Sequence, residues 1–208
     1  MSDDEARRMS AEDRREQILA AASVVFGERG YAGGTTDAIA HEAGVSQAYV
    51  VRMFGGKENL FREAAERASR LVLEAFRTTA AGFTGDETIH DKRMALGFAY
   101  TNLMSDRGTL LTLLHLFSLG HDETFGPLGR ACFLDVYRVT RDEAGMSAQE
   151  ASDFFAQGML TTVLLAMRMP DAQDDPAAMD LMTCTFGEQV TDLIRLTQMQ
   201  TPLGTSAR

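Results

Sequence analysis

Nowhere in this chain do apolar and polar residues alternate for long enough to build a sheet; apolar positions return every three or four residues instead. That period lines side chains along one face of an α-helix. Ile18, Ala22, Val25 and Phe26 display it at i, i+4, i+7 and i+8. Ala, Leu, Met, Glu, Arg and Gln, all good helix formers, dominate, and only 4 Pro interrupt 208 residues. An all-α fold is expected.

Turn and cap residues divide the pattern. A first helix is expected from about Ala11 to Glu28, stopping near Gly30. Thr35 or Thr36 can cap a short helix to Ala43, and Ser46 a second that ends near Phe54 before Gly55-Gly56. A long helix follows from Lys57 to about Ala80, then a boundary at 82–86. Further helices are expected at 88–105, 107–119, 124–144, 148–168 and 177–199, the fourth opened by the capping box Ser147–Glu150 and the fifth by Asp175-Pro176. The division is a head at 1–56 and a body at 57–208.

Composition removes several classes. With 45% apolar and 24% charged residues the chain is ordinary globular material, long enough for a core. Ser2-Asp3-Asp4-Glu5 is acidic where a signal peptide is basic, and no apolar run reaches a membrane span. Cys132 and Cys184 are too far apart for a metal knuckle and read as inert buried thiols, so a reducing cytoplasm is expected. The net charge of −10 is uneven: residues 1–80 carry 11 basic and 13 acidic side chains, residues 81–208 carry 9 and 17. Nucleic-acid binding, if present, must come from a few placed contacts in the first third.

Residues 35–54 have the spacing of a helix-turn-helix. Ile39, Ala40 and Ala43 face a core, Gly44 makes the turn, Val45 plugs it, and Val50 and Phe54 anchor the second helix. Gln47, Ala48, Tyr49, Val51 and Arg52 are left on or near its outer side. Such a helix can enter a DNA major groove. Gln47 can pair with adenine N6 and N7, and Arg52 can reach a phosphate or a guanine. Thr35, Thr36, Ser46, Tyr49 and Lys57 complete the candidate DNA-binding set, Ser46 as a cap first. No acidic residue lies between Ala43 and Lys57. Arg7, Arg8, Arg14 and Arg15, interleaved with acidic residues, read as a solvated arm and helix start.

The run Ile18-Leu19, Ala21-Ala22, Phe26, Gly30-Tyr31, Thr35-Thr36, Ile39-Ala40, Ala43-Gly44-Val45-Ser46, Phe54, Lys57-Glu58 and Leu60 resembles the DNA-binding domain of the TetR family of transcriptional regulators. The likeness spans about residues 14–61. Val51 stands where the family often has Tyr, with Tyr49 aromatic instead. The resemblance implies about nine helices, an N-terminal three-helix DNA-binding domain, and a C-terminal domain for effector binding and dimerisation. It also implies a homodimer on double-stranded operator DNA and release by a small-molecule effector, hence a repressor.

The body carries patterns that fit. Helix 148–168 is apolar nearly all round and must be covered on more than one side. With helix 177–199 it is expected to form a four-helix dimer interface through Phe155, Met159, Val163, Phe186, Val190, Leu193 and Ile194. Aromatic and Met residues on the middle helices suggest a mostly apolar effector pocket lined by Phe98, Asn102, Leu114, His115, Phe117, Phe133, Tyr137 and Met159. His115, set among Leu113, Leu114, Leu116 and Phe117, reads equally as a satisfied core histidine. Helix 57–80 is the expected lever, reaching a pocket floor near Leu71, Leu73 and Phe76. His115 and His121 lack metal-ligand spacing, so no metal and no cofactor is expected. Two other readings stay open: an effector-binding protein of this fold that has lost DNA binding, and a cytoplasmic helical enzyme. None of the common nucleophile-elbow, phosphate-loop, zinc-protease or dinucleotide motifs is present to support the latter.

Overall fold

A computed structural model of the chain describes residues 10–103, 107–187, 190–191 and 194–195. The described residues form helices and turns, with no strand among them. In chain order the α-helices are α1 (Ala11–Gly33), α2 (Thr36–Glu42), α3 (Gln47–Phe54), α4 (Lys57–Ala81), α5 (Ile89–Asn102), α6 (Arg107–Ser118), α7 (Phe125–Arg138), α8 (Ala148–Ala166) and α9 (Pro176–Phe186). None is long and apolar enough to cross a membrane.

Local chemistry sets the ends. Ser10, Thr88 and Ser147 each accept from the third backbone N–H of their helix while the acidic residue there bonds back, closing three capping boxes. The first helix runs further than expected, to Gly33, with Gly30 (φ 67°) breaking its geometry inside. The expected helix at 124–144 is α only to Arg138 and finishes as a π-turn, Val139–Glu143. A 3₁₀ turn at Met169–Ala172 precedes α9.

One apolar core runs unbroken from Ile18 and Phe26 in α1, through Ile39, Val50 and Phe54, to Phe61 and Phe76 in α4 and Phe154 in α8. Phe26, Phe61 and Phe125 are fully buried and meet edge to face, with centroids 5.0 Å apart for Phe26–Phe61 and for Phe61–Phe125. Tyr31 joins them 4.8 Å from Phe125. This cluster welds the end of α1 to α4 and α7. A smaller core, Leu164, Met182, Phe186 and Val190, holds α9 against α8.

The longest contact between elements is that of α6 lying along α1. It is close because Gly108 has no side chain: a Cβ there would stand 2.7 Å from the carbonyl carbon of Ser23. Thr112 donates to the Ser23 carbonyl (3.1 Å), and His115 Nε2 pairs with the Gly27 carbonyl (3.2 Å). A hydrogen on Nε2 of His115 satisfies that carbonyl. His115 is therefore a rivet between α6 and α1 and lies off the cavity described below.

Candidate functional site

The turn between α2 and α3 is built by its own residues. Thr35 caps α2 by accepting from Ala38 N (3.1 Å), and Ser46 caps α3 by accepting from Tyr49 N (3.2 Å). Gly44 has φ 64°, a left-handed conformation that side chains resist, and Val45 N then donates back to the Ala40 carbonyl (2.9 Å). Gln17 of α1 clamps the turn from behind by donating to the Ala43 carbonyl (2.9 Å). Val50 and Phe54 are buried, whereas Gln47, Ala48, Val51 and Arg52 are exposed along α3. A short amphipathic helix thus stands on the surface with an uncommitted outer face.

The side chains on that face are partly ordered by one another. Gln47 Nε2 donates to Thr36 Oγ1 (3.1 Å). That uses one of two amide hydrogens and leaves the second, with the carbonyl oxygen, for a bidentate pair on an adenine edge. The Arg52 guanidinium sits 5.0 Å from the Tyr49 ring centroid, a cation–π contact that keeps both at the α3 surface. Lys57 is held differently: its ammonium donates to the Ala32 carbonyl (3.0 Å) and lies 4.7 Å from the Tyr31 ring centroid. Thr36 and Gln47 thus meet across the turn, Ser46, Tyr49 and Arg52 are joined along α3, Thr35 and Ala48 adjoin them in sequence, and Lys57 lies at the α1–α4 junction. Arg14, read from sequence as part of a solvated arm, lines a shallow groove with Ser10, Gly44, Val45, Ser46 and Tyr49. Its place beside the turn depends on the packing of α1 against α2 and the turn that follows, which local spacing does not encode. Arg7 and Arg8 lie outside the described residues.

A second candidate feature is an apolar cavity of about 70 Å³ in the body. Its wall comes from α4 (Val72, Phe76), α5 (Tyr100), α6 (Leu113, Phe117), α7 (Phe133, Val136) and α8 (Phe154, Phe155, Gly158, Met159). Aromatic rings meet edge to face round it, Phe117–Phe133 at 5.4 Å and Phe133–Phe155 at 5.0 Å. The Tyr100 hydroxyl pairs with that of Thr162 (2.6 Å), and burial pushes its phenol pKa up, so it is neutral. A wider groove outside, lined by Leu116, Gly120, Gly126, Gly129, Arg130 and Leu134, shares Phe117, Phe133 and Met159 with the cavity.

Of the eight residues expected at a pocket, Phe117, Phe133 and Met159 line this cavity. Five do not. Phe98 (56% exposed) and Asn102 point to the surface of α5, Leu114 lies one position out of phase with Leu113, His115 faces α1, and Tyr137 packs on Phe155 from outside. On α4 the wall is Val72 and Phe76; Leu71 and Leu73 lie off it. Phe76, expected at the pocket floor, does line the cavity; Val72, Tyr100 and Phe154, which sequence reasoning missed, carry only the same apolar signal as the rest of the core.

The residues expected at a dimer interface also separate. Val163 is exposed on α8, alongside Met167 just past its end and Leu181 on α9. Phe186 and Val190 are buried inside the protomer, with Ile194 packed against them. Phe155 and Met159 line the cavity, and Leu193 lies outside the described residues. Cys132 is buried and its thiol pKa raised by that burial; Cys184, expected to be buried, is exposed on the outer side of α9. No group of three or more His, Cys, Asp or Glu side chains that could hold a metal is found among the described residues.

A helix-turn-helix head on an all-α body of packed helices defines the class. Residues 18–64 match the model for bacterial regulatory proteins, tetR family, and the chain has the fold of solved structures described as regulators of that family. Solved structures share that fold over most of the chain. A TetR-like transcriptional regulator from Rhodococcus sp. RHA1 matches with a TM-score of 0.58 at 17% identity, over 92% of this chain and 97% of that one. The TetR family regulator PfmR from Thermus thermophilus gives 0.53 at 18% identity, over 77% and 85%. The multidrug binding protein EbrR, complexed with imidazole, gives 0.53 at 19% identity, over 95% and 94%. No curated protein matches the chain significantly.

Proposed function

We propose that this protein is a ligand-responsive transcriptional repressor: a homodimer that binds a pseudo-palindromic DNA operator and leaves it when a small, mostly apolar effector occupies the cavity. It acts on DNA in the cytoplasm and is not an enzyme. The observation that carries the reading is the double role of α6. One side of it, through Gly108, Thr112 and His115, grips α1 of the head. Its other side, through Leu113 and Phe117, is cavity wall. A ligand that favours one position of α6 therefore favours one position of the head, and differential affinity for two head positions is what release requires. The α4 helix contributes in parallel through Val72 and Phe76. EbrR, a structural relative that is a multidrug binding protein, supports a small-molecule role for such a body. The ordered Gln47 and the fully formed turn speak against a protein that has lost DNA binding.

The test is fluorescence anisotropy with labelled DNA from upstream of the protein's own gene. Specific binding should weaken steeply between ~50 and ~200 mM salt as phosphate contacts release counterions. An apolar effector should weaken it further at fixed salt. No binding to that DNA, or a fully unspecific affinity, would overturn the regulator reading.

A further inference from the structure

Among the described residues, the cavity wall has one side chain with a hydrogen-bonding oxygen or nitrogen, Tyr100. What that oxygen can offer follows from a short relay behind it. Thr162 Oγ1 donates to the carbonyl of Gly158 one turn earlier (2.9 Å), which uses its only hydrogen. Thr162 Oγ1 is also 2.6 Å from the Tyr100 hydroxyl, so in that contact it accepts and Tyr100 donates. The Tyr100 hydrogen is thereby committed to Thr162, and its oxygen keeps a lone pair able to accept from a ligand. The rest of the wall is aromatic and aliphatic, with no charged side chain among the described residues to receive an ion. The volume of about 70 Å³ is below the ~150 Å³ of an apolar cavity that holds benzene. Met159 lies between the cavity and the outer groove and is the flexible element that can yield outward to admit a single ring.

We propose that the cavity selects a compact neutral molecule with one aromatic ring and one hydrogen-bond donor, of the phenol class, whose donor bonds the Tyr100 oxygen. This rests on the effector reading of the cavity and narrows it to a ligand class. It also leaves acceptor-only molecules of the same size without a hydrogen bond, because Thr162 holds the only hydrogen Tyr100 could offer them.

The experiment uses the full chain labelled at its methionine methyls and followed by NMR during titration with phenol, anisole and toluene. The Met159 methyl, assigned through Met159→Leu, reports the site. Tyr100→Phe should weaken phenol roughly fivefold, the scale of one net hydrogen bond, and leave anisole and toluene within about twofold. Thr162→Val, a change of equal shape, releases the Tyr100 hydrogen and should strengthen anisole by roughly threefold. Equal losses of phenol and anisole in Tyr100→Phe, or no gain for anisole in Thr162→Val, would overturn the proposal while the effector reading stands. Silence of Met159 toward all three probes would overturn it too. The effector reading falls separately, if no apolar additive changes DNA affinity in the anisotropy assay.

Discussion

In the proposed regulator, Gln47 is the residue of α3 that reads a base, and its hydrogen bond to Thr36 aims it. Gln47→Ala should relax preference at one base position and cost about 1–3 kcal/mol of discrimination there, read by binding to a panel of single-base operator variants. Thr36→Val should produce a smaller loss at the same position, since the amide keeps its groups but loses its guide. The double change should then cost less than the sum of the two, because contacting residues are not additive. A Thr36→Val loss spread evenly over the operator would place Thr36 on phosphate instead. This half of the molecule was readable in sequence because its determinants are local. Caps, turn glycine and outward residues all lie within residues 35–54. The cavity residues were not, because choosing Leu113 over Leu114 needs the phase of α6 against α1, and the partner that claims His115 is Gly27, 88 positions away.

The helices themselves could be placed from periodicity and caps, yet their joints could not. Nothing in residues 139–143 announces a π-turn, which depends on how α7 meets α4. The tight α1–α6 contact is similarly invisible in sequence, where Gly108 looks like any helix glycine. Its consequence is testable. Gly108→Ala drives a methyl into the backbone of Ser23 and Val24, where no side chain can move aside. Overpacking of that kind costs about 1–3 kcal/mol, so the melting temperature should fall by roughly 5 °C. Operator affinity should change with it, since the same contact couples head and body. A second joint, between α4 and α5, is tied by Glu87, whose carboxylate accepts from Thr84 N (2.8 Å) and Gly85 N (3.0 Å). These bonds, led by that from the Thr84 backbone, lower its pKa to about 2. A lowered pKa means a contribution to stability that is present above the ordinary carboxylate range and lost as pH falls through about 2. An NMR titration should find Glu87 still ionised at pH ~4, below the ordinary carboxylate midpoint, with Glu87→Gln loosening the 84–87 turn at neutral pH and removing that step.

For the molecule as a whole, the α8–α9 surface poses the problem of partners. Phe186 and Val190 already fill a core inside the protomer, so changing them tests folding and says little about assembly. Val163 (37% exposed), Leu181 (39%) and Met167 (58%) are apolar side chains left facing outward on or beside the same two helices. A two-fold partner presenting the same patch would cover them, and only a two-fold pair sets two recognition helices about one DNA turn, ~34–36 Å, apart on a pseudo-palindrome. The native protein should therefore sediment at micromolar concentration with twice the 22.8 kDa mass of one chain. The double substitution Val163→Glu, Leu181→Glu puts two negative charges on that face of each chain. It should give a single-chain mass with unchanged helical circular dichroism, because both side chains reach solvent in the protomer. Operator binding should fall with the loss of the second half-site, while the Met159 methyl should still answer to phenol, since the cavity wall comes from one chain. A native protein of single-chain mass, or a double variant that remains dimeric and holds the operator as tightly, would remove this face from the interface and with it the geometry of paired recognition helices.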